Sequence, residues 1–522
     1  MRGEAQEVKV VLIQPPGLQV QDSYSSITQP PLGIAYLSAY AKRLGHSVVI
    51  LDCVGAALSR VEPWPGREGF MAQGLSLDEA ACRVPKDAGV VGFSCMFTHA
   101  WPMTRELMRK VRRAVPGAFF VAGGEHATAM PEQVLRDGGM DLVVLGEGEI
   151  TFGEVLEKLS LGIRDWRTQA GVACMDAAGS LVRGARQPRI AELDSLPYPD
   201  WESMDLKAYM DSHIFMGPSG SESRSIPMLA TRGCPYNCTF CASANMWTRV
   251  YRTREPSKVV DEMLHWKERF KADDFQFQDL TAIVKKDWIT AFCREVVARL
   301  PGITWQIPVG TRAEAIDREV TDLLVASGCG AVTYAPESGS ERILKAVEKR
   351  VHLDRVEASA RAALDSGMQV CLFMIVGFPQ EEEEDLEATF RFIRRMARMG
   401  VHEIAVSTFV PFPGTALFAE VDRASPIAVD DDYCYWVAGA TRLVAIKSFN
   451  PRLSDERLRR LKLSAMAQFY AISYAAHPTR FAGMLKALVT GEQKTKTDRA
   501  LAELKAKLGR KVRRLFHAEN LL

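Results

Sequence analysis

The strongest constraint on this chain is a repeating unit, a short apolar run with strand character followed by a segment of helical periodicity, which recurs from Val8 to Val410. Strands separated in this way by helices form parallel sheets covered on their faces. The units fall into two series. The first predicts strands at Val8 to Ile13, Ser47 to Asp52, Gly89 to Ser94, Ala118 to Ala122 and Asp141 to Leu145. Between them helices are expected at Ile34 to Leu44, Leu77 to Val84, Thr104 to Val115 and Pro131 to Arg136, the second opened by a Ser76 and Glu79 capping box. This is the pattern of a doubly wound α/β domain, assigned to residues 1–160. Residues 161–224 read as a linker holding a hairpin and the proline-bearing stretch Leu196-Pro197-Tyr198-Pro199-Asp200-Trp201. The second series predicts strands near Ile226 to Ala230, Asp274 to Gln278, Thr304 to Val309, Gly330 to Tyr334, Gln369 to Val376 and Glu403 to Val410. Six such strands imply a parallel partial barrel over residues 225–417. Residues 418–522 read as a helical C-terminal domain whose lysines and arginines form a solvated face and whose aromatics, Tyr433, Tyr435, Trp436 and Phe469, either belong to the core or cap the barrel and shape its pocket. No repeat of 20 to 50 residues is present.

The 522 residues exceed one ordinary core, and a net charge of +1 implies no charge-driven partner, neither nucleic acid nor anionic membrane. No apolar run reaches the roughly 20 residues of a membrane span, and the N-terminus lacks a signal-peptide pattern, so a cytoplasmic location is expected. Of the eleven cysteines three cluster and the rest are single, which argues for a metal site rather than a disulfide framework.

The cluster is Thr231-Arg232-Gly233-Cys234-Pro235-Tyr236-Asn237-Cys238-Thr239-Phe240-Cys241, a loop just after the first strand of the second series. Three thiolates this close suit three irons of a four-iron cluster and leave the fourth iron open to a small ligand. Zinc would normally require a fourth protein ligand, and no Cys or His pair follows at suitable spacing.

The CxxxCxxC spacing, with Phe240 before the last cysteine at the end of a first barrel strand, resembles the radical S-adenosylmethionine (SAM) superfamily. That resemblance implies a 4Fe-4S cluster on Cys234, Cys238 and Cys241 whose open iron binds the amino and carboxylate groups of SAM. An electron then splits SAM to methionine and a 5′-deoxyadenosyl radical, with an external donor such as flavodoxin or ferredoxin. It also implies SAM contacts at strand ends: Phe240, Asp279 after the second strand, Arg312 after the third, and Glu337 and Ser338 after the fourth. The family's GGE triplet is absent at the second strand. Gly377-Phe378-Pro379 closes the fifth strand and Pro411-Phe412-Pro413-Gly414-Thr415 the sixth.

The first series has small-residue loops at its strand ends, Gln14-Pro15-Pro16-Gly17, Ser94-Cys95-Met96, Gly123-Gly124-Glu125-His126 and Gly146-Glu147-Gly148-Glu149. In an open α/β sheet, ligands bind at this rim, and small residues let a bulky flat or phosphorylated ligand approach the backbone. With Pro30-Pro31-Leu32-Gly33-Ile34-Ala35-Tyr36-Leu37, these loops resemble the Rossmann-like cobalamin-binding domain that precedes the barrel in one radical SAM branch. The resemblance covers Val8 to Leu417 and implies cobalamin contacts at Pro15, Leu32, Gly33, Ser94, Met96, Gly123, Gly124, Glu125, His126, Gly146, Glu147, Gly148 and Glu149. The DxHxxG motif that supplies a cobalt-ligating histidine in many cobalamin domains is absent. The nearest string, Asp211-Ser212-His213 with Gly217, has the wrong spacing and is read as accidental. Base-off cobalamin is therefore expected.

The branch includes methylases of unactivated carbon and phosphorus, the anaerobic magnesium-protoporphyrin monomethyl ester cyclase and a ring-contracting enzyme. The leading expectation is a cobalamin-dependent radical SAM methyltransferase of class B type acting on a small-molecule, secondary-metabolite substrate, with no side chain required as general base. The alternative keeps the cofactors but ends in oxidative cyclisation or ring rearrangement. A cobalamin sensor would not need three cluster thiolates, and Cys53, Cys82, Cys95 and Cys174 do not form the second cysteine set of a methylthiotransferase.

Overall fold

Strands form where β-branched and aromatic residues run together, so the apolar runs Lys9–Gln14 and Gln369–Val376 sit inside sheets with their central residues buried. The computed structural model describes residues 6–21, 28–212 and 223–490. His213 and Gly217 of the accidental string, and the basic stretch beyond residue 490, lie outside the described residues. The first ten strands are β1 Lys9–Gln14, β2 Gly17–Val20, β3 Ser47–Asp52, β4 Val61–Pro63, β5 Phe70–Gln73, β6 Val90–Ser94, β7 Phe119–Gly123, β8 Leu142–Val144, β9 Val172–Met175 and β10 Leu181–Arg183. Seven of them make one sheet in the order β10-β9-β8-β7-β6-β1-β3, parallel from β3 to β8 and antiparallel across β8-β9-β10.

All five strands expected in the first series are present, each displaced by at most one residue at either end. The hairpin expected between residues 161 and 224 also forms, but it does not stand apart: β9 pairs with β8 and extends the first sheet. This pairing covers an edge that β8 would otherwise expose. A three-stranded antiparallel sheet, β2-β5-β4, was not expected. Its strands hold three or four residues each, among prolines and glycines that mask their pattern. The helices Glu125–Ala129 and Glu149–Ser160, which start at the glycine loops, were not expected either. The Ser76 and Glu79 capping box is present.

The remaining strands are β11 Ser225–Met228, β12 Thr231–Arg232, β13 Arg252–Thr253, β14 Asp274–Phe277, β15 Thr304–Thr311, β16 Cys329–Glu337, β17 Gln369–Val376 and β18 Glu403–Thr408. Six form a parallel sheet in the order β11-β14-β15-β16-β17-β18, each beside its neighbour in the series, which is the expected partial barrel. Its core lies between strands and outer helices, where Phe277, Phe292 and Trp305 meet edge to face with centroids 5.1 to 5.6 Å apart.

The C-terminal helices tie the two units together. Asp455–Ala476 packs on the helix Glu383–Met399 and buries Phe469 in the barrel core. Asp431–Val437 packs on the first domain, where Tyr435 accepts a hydrogen bond from Trp64 Nε1 at 2.9 Å and Asp431 pairs with Arg105 at 2.7 Å. Tyr433 is buried as well. Among the described residues no helix is long and apolar enough to cross a membrane.

Candidate functional site

The three cysteines sit on a loop between β12 and β13, which pair antiparallel and close its base. Three further anchors fix its course. Asp279 accepts from Ala230 N at 3.2 Å and from both the amide and the hydroxyl of Thr231, holding the entry to the loop on the barrel. Thr239 N donates to Val347 O at 3.0 Å, and Asn237 Nδ2 donates to Glu348 Oε2 at 3.1 Å. A fourth contact is made mid-loop, where Leu417 N donates to Thr239 O at 2.9 Å. Cys234, Cys238 and Cys241 are half-buried. Burial pushes the Cys238 thiol up to about 11 and raises Cys234, against the opposing pull of Lys349 and Arg312. Among the described residues no three His, Cys, Asp or Glu side chains are grouped to hold a single metal ion. Three soft thiols on a half-buried loop with cations beside them fit an iron-sulfur cluster, which binds thiolates and accumulates negative charge.

The side chains expected around SAM are engaged with other protein groups. Asp279 is 0% exposed and its carboxylate is occupied by the loop entry, while its neighbours Gln278 and Leu280 face the cavity described below. Burial raises the Asp279 carboxyl to about 6. Arg312 stacks 3.6 Å above the ring of Tyr236, inside the cysteine loop, and is held by Glu314 at 2.6 Å and by the carbonyl of Arg350. Glu337 pairs with Lys349 at 2.9 Å. Ser338 is fully buried, with its Oγ 3.2 Å from Thr389 Oγ1 and accepting from Ser340 N. Phe240 packs against Phe378 of the Gly-Phe-Pro turn, centroids 5.5 Å apart.

A cavity of about 500 Å³ separates the rim of the first sheet from the entrance to the cysteine loop. One wall is the expected rim: Leu32, Gly33, Ser94, Met96, the pair Gly123 and Gly124, Glu125, and Gly146 through Glu149. The opposite wall is Leu229, Thr231, Arg232, Gly233, Met246, Trp247, Gln278 and Leu280. Gly124 has φ +111° and ψ −178°, a conformation open essentially to glycine alone, and a Cβ there would lie 2.7 Å from Cys95 O. Its absent side chain therefore shapes the floor.

Two expected contacts fall elsewhere. Pro15 is not in the cavity wall, and neither is His126. The imidazole of His126 turns inward: Nδ1 is 3.2 Å from Thr98 Oγ1, the ring lies 5.1 Å from Trp101, and burial depresses its pKa to about 3. Among the described residues no histidine lines the cavity. Two side chains offer buried polar atoms that a polar ligand would fit. Glu125 Oε1 and Gln278 Nε2 are buried without a partner, and burial pushes the Glu125 carboxyl up to about 7.

The carboxylates of Glu147 and Glu149 are not free for a ligand either. Arg232 bridges them, at 2.9 Å and 2.7 Å, and Arg189 binds Glu147 at 2.8 Å. All four side chains are nearly inaccessible, and Arg232 also lies over the rings of Tyr36 and Trp247. The cysteine loop is thereby bolted to the rim of the first domain through the residue two before Cys234. Sequence reasoning missed Arg232, Lys349 and Gln278 as site residues. Arg232 carried a signal, a charge at the end of an apolar strand beside the motif, whereas Lys349 lies in Glu348-Lys349-Arg350, which reads as surface.

Comparison with known proteins agrees with this layout. The family described as B12 binding domain matches residues 26–156, and the Radical SAM superfamily matches residues 228–393. The chain is 29% identical, over 80% of its length and 82% of the relative's, to cytidylyl-2-hydroxyethylphosphonate methyltransferase of Streptomyces wedmorensis. It is 28% identical, over 75% of its length and 66% of the relative's, to the anaerobic magnesium-protoporphyrin IX monomethyl ester cyclase of Rubrivivax gelatinosus. A solved structure of the radical SAM methyltransferase TsrM from Kitasatospora setae, with cobalamin and a [4Fe-4S] cluster bound, covers 90% of this chain and 91% of its own at TM-score 0.62 and 18% identity, a likeness of fold.

Proposed function

The chain belongs to the radical SAM superfamily, with a B12-binding domain ahead of the radical SAM domain, and from that premise we propose that it is a class B methyltransferase. In this reading it moves a methyl group from SAM by way of cobalamin to an unactivated carbon of a small-molecule substrate, an intermediate of secondary metabolism. The observation that carries the reading is a cavity of about 500 Å³ walled on one side by the glycine rim and on the other by the strand leading into the cysteines. When bound, the cluster supplies the electron that splits SAM, and cobalamin carries the methyl group.

The chain's own residues bind, orient and exclude. Cys234, Cys238 and Cys241 hold the cluster, Asp279 fixes the loop that carries them, and Phe240 packs the loop onto the barrel. Gly123, Gly124 and Gly146 let the corrin approach the backbone, and Glu125 and Gln278 offer it polar partners. No histidine is among the described residues of the wall and His126 turns inward, so this chain would hold cobalamin through the glycine rim, Glu125 and Gln278 rather than through an imidazole. Arg232, by bridging Glu147 and Glu149 of the rim from the strand that enters the cysteine loop, would hold the two cofactor sites in register and so orient what they bind.

Similarity to the cyclase keeps oxidative cyclisation as a second reading. The test is anaerobic reconstitution with iron, sulfide and cobalamin, followed by incubation with SAM, a reductant and candidate substrates. Methylation predicts S-adenosylhomocysteine together with 5′-deoxyadenosine and a product heavier by one methylene. Deoxyadenosine without S-adenosylhomocysteine would assign the cyclase-type outcome, and neither product would contradict both.

A further inference from the structure

We propose that Lys349, a buried ammonium on the turn bonded to both neighbours of Cys238, is a positioning residue of the cluster site that sets how readily the group held by the three cysteines accepts an electron. The proposal rests on the reading that those cysteines bind an iron-sulfur cluster.

The geometry is local and redundant. The turn Val347-Glu348-Lys349 docks on both sides of Cys238: Val347 O receives Thr239 N at 3.0 Å and Glu348 Oε2 receives Asn237 Nδ2 at 3.1 Å. The turn is itself fixed by the bond from Lys349 N to Leu344 O at 2.9 Å. Lys349 is 9% exposed, with its Nζ 2.9 Å from Glu337 Oε1, on a turn bonded to the residues immediately before and after Cys238.

The backbone around the pair is strained. Among the described residues four non-glycine positions have positive φ, and two of them are Glu337 at +70° and Glu348 at +53°, the partner of Lys349 and its chain neighbour. Such conformations persist where surrounding contacts impose them, and they gather at functional sites. A buried ion pair adds little to stability once desolvation is counted, so stability alone does not account for a strained and buried Lys349–Glu337 pair. The neighbouring thiols supply a reason. A cluster on three thiolates gains a further negative charge when it takes up one electron from an external reductant, and a cation held in a poorly polarisable site favours that reduced state. Glu337, paired with the ammonium, moderates the effect.

The two halves of the pair should therefore act in opposite directions. The full-length protein and its Lys349→Met, Lys349→Arg and Glu337→Gln variants are reconstituted with iron and sulfide. Iron content is measured, and the cluster is titrated with dithionite and mediators, without SAM, under electron paramagnetic resonance. Lys349→Met is expected to retain iron and to be at least tenfold harder to reduce, a midpoint lower by about 59 mV for a one-electron couple. Lys349→Arg should stay near the unaltered protein, and Glu337→Gln should move the midpoint upward. An unmoved midpoint in an iron-replete Lys349→Met protein overturns the proposal, as does a downward shift in Glu337→Gln. If Lys349→Met takes up no iron, Glu337→Gln decides alone, and anything but an upward shift overturns it. A shift seen only with SAM present would assign Lys349 to that ligand instead. An unaltered protein that takes up no iron sinks the functional reading itself, a failure distinct from this one.

Discussion

The rim of the first sheet and the mouth of the barrel were read from the same kind of signal, residues at the ends of parallel strands, and they came out differently. At the rim, eleven of the thirteen expected residues line one cavity; only Pro15 and His126 do not. At the mouth, the charged and polar residues expected to meet a ligand are engaged with other protein groups: Asp279 with the loop backbone, Arg312 with Glu314 and Tyr236, Glu337 with Lys349, and Ser338 with Thr389. A glycine at a rim works by leaving space, and space needs no partner. A charged side chain works through whichever partner the fold brings, and that partner is remote in sequence.

If this contrast is right, substitutions at the two places should fail in different ways. The largest effect is expected where the regions meet. Arg232→Met would leave Glu147 and Glu149 buried with their bridging cation gone, costing about 3–5 kcal/mol in chemical unfolding, the usual penalty for breaking a buried pair on one side. A loss under 1 kcal/mol would break the claim that this cation bolts the cysteine loop to the rim. Next comes Gly124→Ala, which forces a Cβ to within 2.7 Å of Cys95 O at φ +111°. It should cost roughly 1–3 kcal/mol and weaken cobalamin uptake at least tenfold, measured by equilibrium dialysis. Unchanged uptake would remove the rim from the site.

Glu125 sharpens the comparison with an effect of opposite sign. Its folded pKa of about 7 lies above the ordinary carboxylate value of 4.5, so between the two the folded protein holds a proton that the unfolded chain has released. Stability of the cofactor-free protein should therefore fall as pH rises from about 4.5 to about 7 and then level off. Glu125→Gln should abolish that fall and raise stability at pH 8 by roughly 1–2 kcal/mol in thermal unfolding, because a neutral amide avoids burial of an unpaired charge. A variant less stable than the parent at pH 8 would contradict the assignment of Glu125 as an unsatisfied group. The smallest effect belongs to Ser338→Ala, at about 1 kcal/mol for a neutral buried hydrogen bond, with deoxyadenosine formation within about twofold of the parent. A tenfold loss of that activity with stability intact would return Ser338 to the SAM site.

The sequence made the scaffold legible because parallel strands covered on their faces are apolar runs, and Gln369–Val376 was bounded without error; the edge strand Ser47–Asp52, buried only at its last two residues, was bounded as well by its own apolar run. Short strands among prolines were not legible: β2, β4 and β5 depend on pairing with one another, not on any run of their own. The β9-β10 hairpin was visible, but its attachment to β8 was not, since edge pairing is a tertiary choice. In the site, the cysteine spacing and the glycines could be read directly. The bridge from Arg232 to Glu147 and Glu149 spans more than eighty residues and follows only from the packing of two domains. The inward turn of His126 follows from the hydroxyl of Thr98 and the indole of Trp101, neither of which a rim motif specifies.

The central claim, that Cys234, Cys238 and Cys241 together hold a cluster with a site open to SAM, is tested most directly by electron paramagnetic resonance of the dithionite-reduced, reconstituted protein before and after SAM is added. The account predicts a 4Fe-4S signal that changes on SAM addition in the parent and is missing, along with bound iron, in Cys238→Ala. A parent signal indifferent to SAM, or a Cys238→Ala protein with the parent's iron and spectrum, would contradict it.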